Sequence, residues 1–243
     1  MLLLTACNSK TEEKKSQTSD QKESSADTLN TTSKPLTDQQ KKNVVDFIPA
    51  GYALYKEEGM EDIKGDLNKD GLQDVVLLIK GTDQRKFFDH ETRGKLDRNR
   101  RGIIILFNRG DGYELATKNY DCFLSENEEG GVYYAPELWL SVEKGNLKIN
   151  YAHGRYGYWN YTFRNKNGEF ELIGYDASYN QGPMPLEETS INFLTKKKLT
   201  RENINRDNFK DDEDVKFKDT WETVKVHQLK KLSEIKDFDE LQF

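Results

Sequence analysis

A chain of 243 residues, with 35% apolar and 33% charged side chains, is long enough for one domain or two small ones. Its net charge of −6 argues against a nucleic-acid partner, because phosphate binding draws on a basic surface. Two cysteines cannot build a disulfide framework, and no apolar run approaches the roughly 18 residues that a transmembrane helix needs.

The chain begins Met1-Leu2-Leu3-Leu4-Thr5-Ala6-Cys7. A short apolar run, small residues and then cysteine are the ending of a bacterial lipoprotein signal peptide, here truncated and without a basic n-region. Residues 1–7 are therefore expected to be signal, with Cys7 carrying the lipid. Several acyl chains on one cysteine hold a membrane where a single chain is marginal. The expected location is the bacterial cell envelope, at the outer membrane. Residues 8–40 are almost purely Lys, Glu, Asp, Ser, Thr, Gln and Asn. Such a segment buries too little apolar surface to offset its ordering entropy and should be a disordered tether, with a mean reach of about 30 Å.

Residues 41–243 are expected to fold. Thr37 and Gln40 can form a capping box for a short helix whose apolar face is Val44, Val45, Phe47 and Ile48, ended by Pro49. Beyond it, β-branched and apolar runs alternate with Gly, Asn and Asp turns, which is a mainly β pattern. The expected fold is an antiparallel meander, a sandwich or a partial-propeller-like domain with short terminal helices.

Gly65-Asp66-Leu67-Asn68-Lys69-Asp70-Gly71-Leu72-Gln73-Asp74 places side-chain oxygens at alternate positions, with a glycine after the third. Asp66, Asn68, Asp70, the Leu72 carbonyl and Asp74 form a candidate ligand set for a hard cation, and calcium suits it because it accepts several oxygens in irregular geometry. Gly71 allows the positive φ that folds the loop back. The twelfth residue from Asp66 is Leu77, inside a strand-type run, so the bidentate Glu and the helix of an EF-hand are missing. The loop resembles instead the calcium loop of FG-GAP repeats, as in integrin-type propeller blades. That resemblance implies a structural calcium ion joining two strands. The loop occurs once, which argues against a complete multi-blade propeller.

Val75–Ile79 and Ile103–Phe107 are continuously apolar and are expected to be central strands paired with each other. Between them, residues 80–101 read as a long charged connection holding Arg93, Lys95, Arg98, Arg100 and Arg101. Arg109-Gly110-Asp111 reads as a turn, and its integrin-ligand spelling as incidental. Cys122 is expected to be a buried thiol. Lys144-Gly145 and Asn167-Gly168 are hairpin signals, which makes Leu138–Val142, Leu147–Tyr151, Tyr158–Arg164 and Phe170–Tyr175 an antiparallel meander. Further strands are expected at Ser190–Lys196 and Trp221–Leu229, an acidic loop at 207–218, and helical spacing at Ile235, Phe238 and Leu241.

The stretch from Tyr151 to Phe163 is rich in aromatics. In one uninterrupted strand, Tyr151, His153, Arg155, Trp159 and Tyr161 would share a face and could stack on a sugar or peptide. Gly154 and Gly157 signal a possible break in that register. The alternative is that these rings are core and cross-strand pairs; Tyr133, Tyr134 and Trp139 extend either version. The tether, the single loop and the meander ending Phe170-Glu171-Leu172-Ile173-Gly174-Tyr175 together resemble a group of uncharacterised Bacteroidetes-type envelope lipoproteins. This resemblance implies location and architecture, and no reaction.

The functional expectation is a lipid-anchored envelope protein with a structural calcium loop that binds a glycan, peptide or protein rather than an enzyme. Two alternatives stay open. One is an envelope hydrolase of glycan or peptide, using two acids from Glu126, Glu128, Glu129, Glu137, Glu187 and Glu188. The other is an inhibitor or immunity lipoprotein that presents Arg93–Arg101 to its partner.

Overall fold

The computed structural model describes residues 40–41, 43–56, 60–127, 135–208 and 215–243. In chain order its first strands are β1 (Gln40–Lys41), β2 (Tyr52–Leu54), β3 (Ile63–Gly65), β4 (Asp74–Gly81), β5 (Phe87–His90), β6 (Gly94–Asp97), β7 (Arg101–Asn108) and β8 (Tyr113–Phe123). They are followed by β9 (Glu137–Glu143), β10 (Asn146–Ala152), β11 (Gly157–Lys166), β12 (Glu169–Gln181), β13 (Met184–Asn192), β14 (Lys197–Asn203) and β15 (Phe217–Thr223). Two large antiparallel sheets and a two-stranded ribbon, β5-β6, result. The first runs β1-β8-β7-β4-β2, with β3 also on β4, and the second is a plain meander from β9 to β15.

The two continuously apolar runs pair as expected, with Val76 opposite Ile105 and Leu78 opposite Ile103. They tolerate no polar residue because both faces are covered. Val76, Leu78, Ile103, Ile105 and Phe107 point into the main core. Val75, Leu77, Ile79, Ile104 and Leu106 point the other way, into a smaller cluster under Val44, Phe47 and Ile48. These last three lie on or beside the single 3-10 turn Val44–Phe47, so the expected first helix shrinks to that turn and Gln40–Lys41 pairs with β8 instead. Thr37 lies outside the described residues.

The second sheet turns tightly where the sequence signals it. Lys144-Gly145 and Asn167-Gly168 all have positive φ, at 52°, 72°, 55° and 86°. That is the type I′ geometry, which matches the twist of the flanking strands. Leu140, Ile149, Phe163, Leu172 and Ile191 face the first sheet and share its core.

A strap from Leu232 to Phe238 closes this core. Leu232, Ile235 and Phe238 are buried, three residues apart, but only Leu232–Glu234 makes a 3-10 turn. The expected terminal helix does not form. The Asn119 side-chain amide donates to the carbonyls of Leu232 (2.7 Å) and Ile235 (2.6 Å), and Phe238 N–H donates to the Cys122 carbonyl. These partners occupy backbone groups that a continuous α-helix would pair internally.

Four other expectations are corrected. The connection over residues 80–101 contains a two-stranded ribbon, β5 against β6. Ser190–Lys196 straddles the end of β13 and the turn into β14, and the last strand ends at Thr223 rather than Leu229. Phe217 and Lys218, assigned to the acidic loop, begin β15. Cys7, the 8–39 segment, Glu128, Glu129, Tyr133 and Tyr134 lie outside the described residues.

Candidate functional site

The cation-type loop joins β3 to β4 and rests against the second sheet: a Cβ added to Gly65 would meet Val142 at 2.5 Å. Its oxygens turn inward. Asp66 accepts the amides of Asp70 and Gly71, both at 3.1 Å. The Asn68 side-chain oxygen also accepts the Asp70 amide, at 2.9 Å, and its nitrogen donates to Asp70 Oδ2 at 2.8 Å. Asp70 Oδ1 accepts the Leu72 amide, and burial opposes but does not cancel the effect of that hydrogen bond, which leads the causes holding the Asp70 carboxyl below its usual range. Lys69 (φ 66°) and Gly71 (φ 87°) make the reversal.

Asp74 has a different position from the other four. It is fully buried, and its two oxygens accept the backbone amides of Leu67, Asn68 and Asn108. It clamps the loop's first turn to the end of β7. Burial outweighs these bonds and raises its pKa. Among the described residues no three His, Cys, Asp or Glu side chains are gathered as a cation site. The donor chemistry nonetheless fits a hard cation: Asp66, Asn68 and Asp70 bring neutral and anionic oxygens into one exposed turn, held only by that turn's own amides and by Arg109 at 3.6 Å.

The aromatic run is the tip of a hairpin, because Tyr151 on β10 stands opposite Trp159 on β11. The structure divides the five candidate ligand residues. Tyr151 and Tyr161 are buried in the core, with Tyr151 stacked on Trp159 at 5.1 Å. Burial raises both phenols. His153 and Arg155 lie in the turn between the strands and line a small surface hollow with Tyr156 and Glu137. The exposed rings have the opposite parity. Trp139 and Tyr158, each 43% exposed, stand on the outer face of the second sheet.

That outer face has an ordered polar row. Trp139, Asn150, Asn160, Asp176 and Ser190 stand opposite one another across five strands. Ser190 donates to Asp176 at 2.6 Å, and Asn150 donates to the Trp139 carbonyl. Tyr158 lies one step along; burial, then Glu188 and Asp176, raise its pKa. Two strands across and two residues along put Trp139 and Tyr158 about 12 Å apart. Strand alternation turns Tyr158 away from the Tyr151 set, whereas Trp139, read as extending that set, proves to stand on the outer face with Tyr158.

Other chemistry is sparse. A groove of about 580 Å³ is lined by Leu172, Phe193, Val224, Val226, Leu229 and Phe243, with His227 and two lysines but no carboxylate side chain. Lys80 is buried between Asp97, at 3.0 Å, and Glu126. Burial pushes the Cys122 thiol well above its usual range. No helix among the described residues is long and apolar enough to cross a membrane.

The fold and these surfaces define a mainly β domain of two antiparallel sheets sharing one core. No known protein family, no curated protein and no solved structure matches the chain.

Proposed function

We propose that this is a lipid-anchored envelope protein whose outer sheet face binds a glycan and whose Asp66–Asp74 loop holds a structural calcium ion. The observation that carries the binding reading is the pair of half-exposed rings, Trp139 and Tyr158, beside a row of Asn, Asp and Ser side chains on the outer face of the second sheet. Aromatic faces cover the apolar side of a pyranose ring, and amides and carboxylates satisfy its hydroxyls.

A glycan screen on the folded domain, followed by tryptophan-fluorescence titration, tests this. Trp139→Ala and Tyr158→Ala should each weaken binding at least tenfold while the melting temperature holds. Binding unaffected by both variants, or no binding to any glycan, overturns the reading.

Calcium is supported by the oxygen donors of Asp66, Asn68 and Asp70 and by the reversal at Gly71. At a hundredfold excess over Kd, an ion adds about 2.7 kcal/mol of stability, or roughly 5–10 °C for a domain of this size. Melting with calcium against chelator should show that shift, and Asp70→Ala should remove it. Equal curves for the native chain would leave only a polar turn. The anchor at Cys7 predicts metabolic palmitate labelling that Cys7→Ala abolishes.

A further inference from the structure

The second sheet ends in an open edge. β15 pairs with β14 on one side and with no strand on the other among the described residues. It is seven residues long, and all but Phe217 are exposed. Trp221 on this edge is 64% exposed. An unpaired edge of this length is a template for a further strand, and proteins usually blunt such edges with charge.

The ladder fixes which groups are on offer. Val224 N–H donates to the Lys196 carbonyl at 3.0 Å, and Ile204 N–H to the Lys216 carbonyl at 2.9 Å. In an antiparallel ladder hydrogen-bonded pairs alternate with non-bonded ones. Even-numbered residues of β15 therefore direct their backbone groups to β14. Phe217, Asp219, Trp221 and Thr223 direct theirs to the free edge.

The charges on the strand are arranged for its own reverse. Lys218 stands opposite Glu202 of β14, and Glu222 opposite Lys198, whose ammonium is 4.0 Å from it. We propose that β15 is a dimerisation edge that pairs antiparallel with β15 of a second copy, about a twofold axis at Thr220. This register bonds odd residues to odd residues, as the ladder requires. It sets Lys218 against Glu222 of the other copy, twice, in the non-bonded pairs where side chains approach most closely. The row across the joint then reads Glu202, Lys218, Glu222, Lys198, alternating in sign throughout. Shifting the axis to Asp219 places two aspartates face to face. Shifting it to Trp221 separates Lys218 from Glu222. On the other face, the axis at Thr220 brings the two Trp221 rings to diagonal positions, where each covers the other. An isologous contact of this kind closes at two copies.

The test uses the folded domain in sedimentation and light scattering over a concentration series. The native chain should form a dimer. Lys218→Glu and Glu222→Lys should each be monomeric with unchanged circular dichroism, since each places like charges opposite across the axis. Mixing these two variants one to one should restore a dimer, because the two glutamates of the first variant then face the two lysines of the second across the axis. A monomeric native chain, single variants that dimerise as well as the native chain, or a mixture that stays monomeric would each overturn the proposal. None of these outcomes bears on glycan binding through Trp139 and Tyr158.

Discussion

Replacing Phe238 by alanine is expected to be among the most damaging single changes in the described domain. The ring is fully buried. It stacks on Phe123 at 5.0 Å and meets Tyr161 and Phe163 edge-on at 4.9 and 6.0 Å. Truncating a buried phenylalanine removes its transfer energy and leaves a cavity, at a cost of about 3–5 kcal/mol. Three lost aromatic contacts put this site towards the upper end. For a domain of some 200 residues, each kcal/mol lowers Tm by roughly 2–4 °C, so a fall of about 8–20 °C is expected. Urea and thermal unfolding of Phe238→Ala and Phe238→Leu would measure it, with leucine costing about half as much. A companion change, Tyr161→Phe, removes the 3.0 Å hydrogen bond to the Phe238 carbonyl and should cost about 1–3 kcal/mol. A loss below about 1.5 kcal/mol for Phe238→Ala would mean that the strap is not seated between the sheets, and the account of the core would fail.

Two further outcomes follow from buried polar groups. Cys122 should resist thiol reagents at pH 8 in the native protein and react fully in denaturant; rapid native labelling would contradict its burial. Burial opposes ionisation of Asp97, but the Asn99 backbone and side-chain amides and the Lys80 ammonium outweigh it and hold its carboxyl below the usual range. Because the folded value lies below the unfolded one, the stabilisation is complete above the usual carboxylate pKa of about 4 and is lost as pH falls through the folded value. Asp97→Asn should flatten that acid limb and cost about 1.5–3 kcal/mol at neutral pH. An unchanged acid limb would rule Asp97 out as a contributor.

The central strands were legible because both faces of β4 and β7 are covered, which leaves no room for alternation. The Lys144-Gly145 and Asn167-Gly168 turns were legible because few residues accept positive φ. The β13–β14 turn was not: Thr195-Lys196 carries no glycine, although Lys196 does adopt φ 56°. β5 and β6 escaped notice because short ribbons rich in Lys, Asp and His have no apolar period. The terminal spacing of three was real, but Asn119 captures the carbonyls that a helix would use. At the candidate loop, alternation identified Asp66, Asn68 and Asp70. It could not reveal that Asp74 is turned towards Asn108, a residue more than thirty positions away. Gly154 and Gly157 did signal the break in the aromatic run, and the turn at Gly154–Tyr156 separates His153 and Arg155 from the buried rings.

The strap also sets an order of events in folding. Phe238 fills a space walled by β8 and β11, which lie far from it in the sequence. Until it docks, Phe123, Tyr161 and Phe163 lack the ring that covers them, and both sheets are held together by an unfinished interior. A chain whose strap has not yet docked therefore exposes aromatic surface, and partly folded chains of that kind are prone to aggregate. Removal of residues 232–243 should leave a species that chaperones bind, and supplying that segment should release it.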